Sequence, residues 1–144
     1  MFARIKRHDP GHNRTRGAAL VEMAMMLPFL LLFLVGVMEL GVMLYDKAVL
    51  TNASREGARL LISAAGDPIT DTQVTNRVNT FLQNHMISFS PSSVSTTVTR
   101  AGSATGDEVR VRVSYQYTFL VLPNFVSITG NTLTMGAETS MRLE

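Results

Sequence analysis

Residues 14–40 read RTRGAALVEMAMMLPFLLLFLVGVMEL, and the fold turns on how this stretch is placed. The 16 residues Met23–Met38, bracketed by Glu22 and Glu39, contain no Asp, Glu, Lys or Arg. With both glutamates included, the hydrophobic stretch Ala18–Tyr45 is 28 residues long. A bilayer-spanning helix needs roughly 20 predominantly apolar residues, so this one is long enough. It is longer than the apolar core of an ordinary secretory signal, and the VGVMELGVMLYDK that follows carries no A-x-A cleavage pattern. The reading is a retained membrane helix. Pro28 lies inside it and removes the amide that would bond the Ala24 carbonyl; a kink and simple accommodation both stay open.

Charge orients the helix. Residues 1–17 hold Arg4, Lys6, Arg7, Arg14 and Arg16 against Asp9, a balance of +4, whereas residues 18–144 sum to −2. A basic block before an apolar run holds that end in the cytoplasm. The expected localisation is therefore the inner (cytoplasmic) membrane, crossed once, with the N-terminus cytoplasmic and the C-terminal domain periplasmic or extracellular. The remainder of the chain shows no basic footprint for nucleic acid. Cysteine is absent, so disulfides and Cys-based zinc or thiolate chemistry are excluded.

Downstream, DKAVLTNASREGARLLISAA continues the helix from the membrane to about Ala65, with Val49, Ala53, Leu60 and Leu61 near one face. Arg55, Glu56 and Arg59 are spaced for i,i+3 and i,i+4 contacts on its polar side. Gly66–Pro68 ends it. A second helix starts near Asp71, carries Val74, Val78, Phe81 or Leu82, and His85 on one stripe, and ends around SFSPSS. Three strands follow. SVSTTVTR is rich in β-branched residues. EVRVRVSYQYTFLVL places Val109, Val111, Val113, Tyr115, Tyr117, Phe119 and Val121 on one face. TLTMGAETSMRLE groups Leu133, Met135, Ala137, Met141 and Leu143. AGSATGD is the turn-rich loop between the first two strands. The fold class is α+β: a long N-terminal membrane-spanning helix continuing outward, then a helix and a three-stranded antiparallel sheet. The domains are a basic, unstructured cytoplasmic leader (1–17), a transmembrane helix (18–45) and an extracytoplasmic α+β domain (46–144).

Catalytic signals are weak. His85 is the one histidine outside the leader, where His8 and His12 lie, and it is expected to be a partly buried packing residue. Ser54 has no histidine or lysine placed beside it in sequence as a base. The glycine-rich GSATG lacks the Lys and the following helix of a phosphate cradle. Asp67, Asp71, Asp107 and Glu108 read as solvated turn and capping acids. Asn52-Ala53-Ser54 matches a glycosylation acceptor but falls inside a helix. No catalytic, cofactor-binding or metal site is expected, and the protein is read as a non-enzyme.

Glu22 is different. An acid at the edge of a membrane segment is a functional candidate by default. Gly17, Ala18 and Ala19 precede it, and the basic leader precedes them. Glu39 is expected near the outer interface as a hydrated carboxylate.

The RG/AALVE junction resembles the leader junction of type IV prepilins, in which a membrane peptidase cuts after the glycine. Ala18 stands where phenylalanine is usual, and TLIEL is absent, which points to the tight-adherence (Tad/Flp) branch. LP, ELG and NASREGAR within residues 14 to about 62 are similar to the TadE-like family of pilin-related proteins. The resemblance implies cleavage between Gly17 and Ala18, recognition and assembly through Glu22, and a helix motif of Arg55, Glu56, Gly57 and Arg59. After such a cut Ala18 supplies an amine one helical turn from Glu22, and the two can pair between neighbouring helices in lipid. It also implies a prepilin peptidase, other Tad pilins and pilus assembly proteins as partners, beside membrane lipid. Removing 17 residues leaves 127, a size that suits a minor pilin or pseudopilin contributing to pilus assembly and surface adhesion. The alternative is an uncleaved single-pass protein whose outer domain binds a ligand or partner.

Overall fold

The computed structural model describes residues 11–63, 69–102, 104, 106–119 and 132–143, with side chains from residue 17 onward. The chain divides into two units, Met1–Val37 and Met38–Glu144. Helix α1 covers Gly11–Ser63 and runs through Pro28 without interruption. It therefore includes residues 11–17, which the composition assigned to an unstructured leader. The stop signal at Gly66–Pro68 and the inward position Val121 lie outside the described residues.

In the second unit α1 is followed by α2 (Asp71–His85), a 3₁₀ turn (Pro91–Ser93), and strands β1 (Val94–Arg100), β2 (Glu108–Thr118) and β3 (Thr132–Arg142). Helix α2 opens on a reciprocal cap, because the Gln73 amide donates to Thr70 Oγ1 at 3.3 Å while the Thr70 amide donates to Gln73 Oε1 at 2.9 Å. Asp71 sits in its first turn, where the helix dipole favours an acid. The strands form an antiparallel meander in the order β1-β2-β3, with Val111 opposite Val98 on one side and Thr139 on the other.

Strict alternation makes β2 the centre of the core. Val109, Val111, Val113, Tyr115 and Tyr117 are all buried, while Arg110, Arg112 and Gln116 face out. Against this face lie Val49, Leu50, Ala53, Ala58 and Leu61 of α1, and Val74, Val78 and Leu82 of α2. Burying one Val or Leu side chain contributes about 1.5–3 kcal/mol, so this cluster outweighs any surface ion pair. Met135 and Ala137 of β3 join it, whereas Leu133 is 43% exposed because it stands at the strand's start.

Helix and sheet approach closely at Gly57. A Cβ there would lie 2.9 Å from Val78 Cγ2, 3.2 Å from Val111 Cγ1 and 3.3 Å from Val74 Cγ1. Only a residue without a side chain lets α1, α2 and β2 approach this far.

Two expectations need correction. His85 is exposed rather than partly buried; it stacks on Phe81 with ring centroids 4.3 Å apart and its Nδ1 lies 2.8 Å from the Phe81 carbonyl. Glu39 is 7% exposed and not a hydrated surface carboxylate.

Candidate functional site

The candidate site begins on the first unit. From Gly17 to Phe33 almost every α1 side chain is exposed, including Leu20, Met25, Phe29 and Phe33. A helix apolar on all sides that its own chain leaves uncovered must be covered by something else. By length and composition α1 can cross a membrane. Gly17, Ala18 and Glu22 share this helix and are all exposed. A Cβ at Gly17 would meet nothing within 4 Å, so no described side chain crowds this position. The carboxylate of Glu22 lies one turn along.

The second unit holds the other candidate residues, and they separate by role. Gly57 is the close contact described above. Glu56 reaches α2, accepting from Arg77 Nη2 at 2.6 Å and Nε at 3.1 Å, rather than pairing within its own helix. Arg55 and Arg59 are exposed. Two open hollows flank the Glu56–Arg77 pair. One, of about 310 Å³, is lined by Thr80, Phe81, Asn84 and His85, and the other, of about 340 Å³, by Arg59, Leu60 and Ser63.

Ser54 is fully buried, donates to the Thr51 carbonyl at 2.9 Å and lies 2.7 Å from Thr139 Oγ1. It ties α1 to β3 and faces no base. Asp71 pairs with Arg100, and Asp107 accepts the Ala104 amide at 2.8 Å. Arg110, bonded to Glu108, holds that carboxyl below its usual value, and Glu108 raises the guanidinium in turn. These acids serve turns and surface pairs. Asp67 lies outside the described residues. Among the described residues no group of His, Cys, Asp or Glu is placed to hold a metal.

Asp46 was not singled out by the sequence and is the centre of a polar network in this unit. Its fully buried carboxylate accepts the Ile87 amide at 3.1 Å, the Ser88 amide at 3.3 Å and the Ser88 hydroxyl. The Tyr115 hydroxyl donates to the Ser88 carbonyl, closing the network against β2. Asp46 thereby fixes the turn that leaves α2. Burial, with the charges of Glu39 and Asp46 behind it, pushes the Tyr117 phenol above its ordinary value of 10.0.

The exposed apolar helix, the open glycine and the acid one turn on fall within a stretch that resembles known proteins. Residues 17–59 match the family model described as TadE-like protein. The match opens at Gly17 and closes at Arg59, so the TadE-like segment contains Glu22 and the Arg55, Glu56, Gly57 and Arg59 cluster, while α2 and the sheet lie beyond it. The likeness covers that segment, less than half of the chain. No curated protein and no solved structure matches the chain.

Proposed function

We propose that this protein is a non-enzymatic minor pilin or pseudopilin of the Tad pilus, anchored by α1 and cut by a prepilin peptidase between Gly17 and Ala18. The observation that carries the reading is the position of Gly17, Ala18 and Glu22, all three exposed, at the opening of the apolar TadE-like segment. The new Ala18 amine and the Glu22 carboxylate of a neighbouring subunit neutralise each other in lipid and set the axial register between helices. The α+β unit then offers contact surface to other pilus components or to the surface being colonised. Because α1 includes the 17–18 bond, the peptidase must unwind at least one helical turn to reach it, and Gly17 makes that unwinding easier.

Intact mass of the protein co-expressed with the peptidase tests this reading. The expected product lacks residues 1–17, and Gly17→Leu abolishes the change. A mature protein that still starts at Met1 in its native host overturns it and favours an uncleaved, membrane-anchored binding domain. Glu22→Ala is expected to impair pilus assembly while leaving membrane insertion intact, since removing a charge from lipid eases insertion. Unchanged pilus-dependent adhesion in that variant excludes the intersubunit pairing.

A further inference from the structure

One end of the second unit is set apart by what it exposes. Leu44 is 65% exposed, Tyr45 48%, Ile87 66% and Leu133 43%. These residues are distant in sequence, yet the Ile87 amide bonds Asp46, the neighbour of Tyr45, and Leu133 pairs with Tyr117, two positions from the Tyr115 that closes the same network. Among the described residues of this end, the acids Glu39 and Asp46 are withdrawn from solvent, and the one exposed permanent charge is Lys47, which donates to the Gly136 carbonyl. The opposite end is the reverse. There the exposed groups are ion pairs, Arg100 with Asp71 and Arg110 with Glu108.

Exposure alone names no occupant, but two observations do. Leu40, Leu44 and Tyr45 of this unit are exposed and belong to the same helix, α1, as the apolar run, and Tyr45 adjoins the Asp46 that bonds the Ile87 amide. Along this stretch the side chains pass from leucine to tyrosine to lysine, the order a lipid–water boundary selects: hydrocarbon, then an aromatic with a polar tip, then a cation among headgroups.

We propose that the end of the α+β unit formed by Leu44, Tyr45, Ile87 and Leu133 is seated in the lipid–water boundary of the membrane that α1 enters. This rests on the reading of α1 as a membrane anchor. Ile87 and Leu133 enter the outer acyl region beside the helix, giving the unit two further points of lipid contact. The withdrawal of Glu39 and Asp46 fits this position, because a solvent-seeking carboxylate at that depth is costly.

The chain contains no tryptophan, so single replacements report depth without background. Full-length Ile87→Trp and Leu133→Trp are reconstituted into phosphatidylcholine–phosphatidylglycerol vesicles, with and without brominated acyl chains. Phe33→Trp serves as the reference within the apolar run and Thr99→Trp as the reference at the opposite end. The expected result is blue-shifted emission and loss of intensity to bromine for Ile87→Trp, Leu133→Trp and Phe33→Trp, with Thr99→Trp unaffected. Quenching of Phe33→Trp but not of Ile87→Trp and Leu133→Trp overturns the seating and leaves the anchor intact. An unquenched Phe33→Trp overturns both. Blue-shifted but unquenched emission at Ile87 and Leu133 assigns this end to a protein partner and also overturns the proposal.

Discussion

Asp46 keeps a carboxylate away from water, and it does so by meeting three donors from a single turn of chain. Removing the acceptor strands two backbone amides and a hydroxyl, so Asp46→Ala is expected to cost roughly 3 kcal/mol in denaturant unfolding of the detergent-solubilised protein. Asp46→Asn keeps one acceptor oxygen and should cost less. At Gly57 the neighbours are three branched valine methyls, which cannot swing away as a long flexible side chain would. Gly57→Ala should therefore destabilise by about 1–3 kcal/mol. Gly41→Ala, with nothing within 4 Å, should be neutral or slightly stabilising in the same assay. Tyr117 adds a pH dependence whose sign follows from its raised value. Its contribution is complete below the unfolded phenol's pKa of about 10 and is lost as pH rises through the higher folded value. Tyr117→Phe should flatten the alkaline fall of stability, read as unfolding midpoints from pH 8 upward. Gly57 stood in the sequence only as part of a helix motif and Tyr117 only as an inward position of β2, while Asp46 was not legible at all. The partners of Asp46 lie more than 40 positions away, and nothing local distinguishes a carboxylate destined for burial from one bound for water.

At the scale of elements, the sequence carried more. β2 was legible because its inward and outward positions alternate through eleven residues without a fault, and that period admits one register against a buried face. The α2 stripe was legible through Val74, Val78 and Leu82, and it failed one turn later at His85, where the helix ends and solvent begins. Thr139 escaped notice because a threonine interrupts the apolar face of β3, and its partner Ser54 stands on another element. The cap of α2 went unread, although Thr70 and Gln73 stand three apart as in a capping box. Thr70→Ala is expected to cost about 1 kcal/mol, and to fray the first turn of α2 before the rest, as hydrogen exchange of the Gln73 and Val74 amides would show.

Across the whole molecule, the apolar run, the second helix and the meander were readable in order because each has its own period and its own stop. The start of α1 was not, since the basic composition of residues 11–17 says nothing about the backbone's freedom to extend a helix already begun downstream. The anchor makes a prediction of its own. Leu31→Lys places a charge in the middle of the apolar run, at a cost of about 2.5–3.5 kcal/mol for insertion. The native chain should stay with membranes through an alkaline carbonate wash, and the variant should be found in the supernatant to a measurable extent.

Within the second unit, the contacts of α1 fall in order along the sheet. Asp46 is networked to Tyr115, Lys47 reaches Gly136 opposite Ser114, Ser54 reaches Thr139 opposite Val111, and Gly57 lies against Val111 itself. The helix is thus laid along β2 and runs against its direction. A pull on the apolar end of α1 would load this seam in shear, spreading force over several side chains at once instead of peeling the strands apart one hydrogen bond at a time. Mechanical strength in such a protein would then be set by the seam between Val49 and Leu61, and a single-molecule pull on a Gly57 or Ser54 variant would find the weak point there before it found one in the sheet.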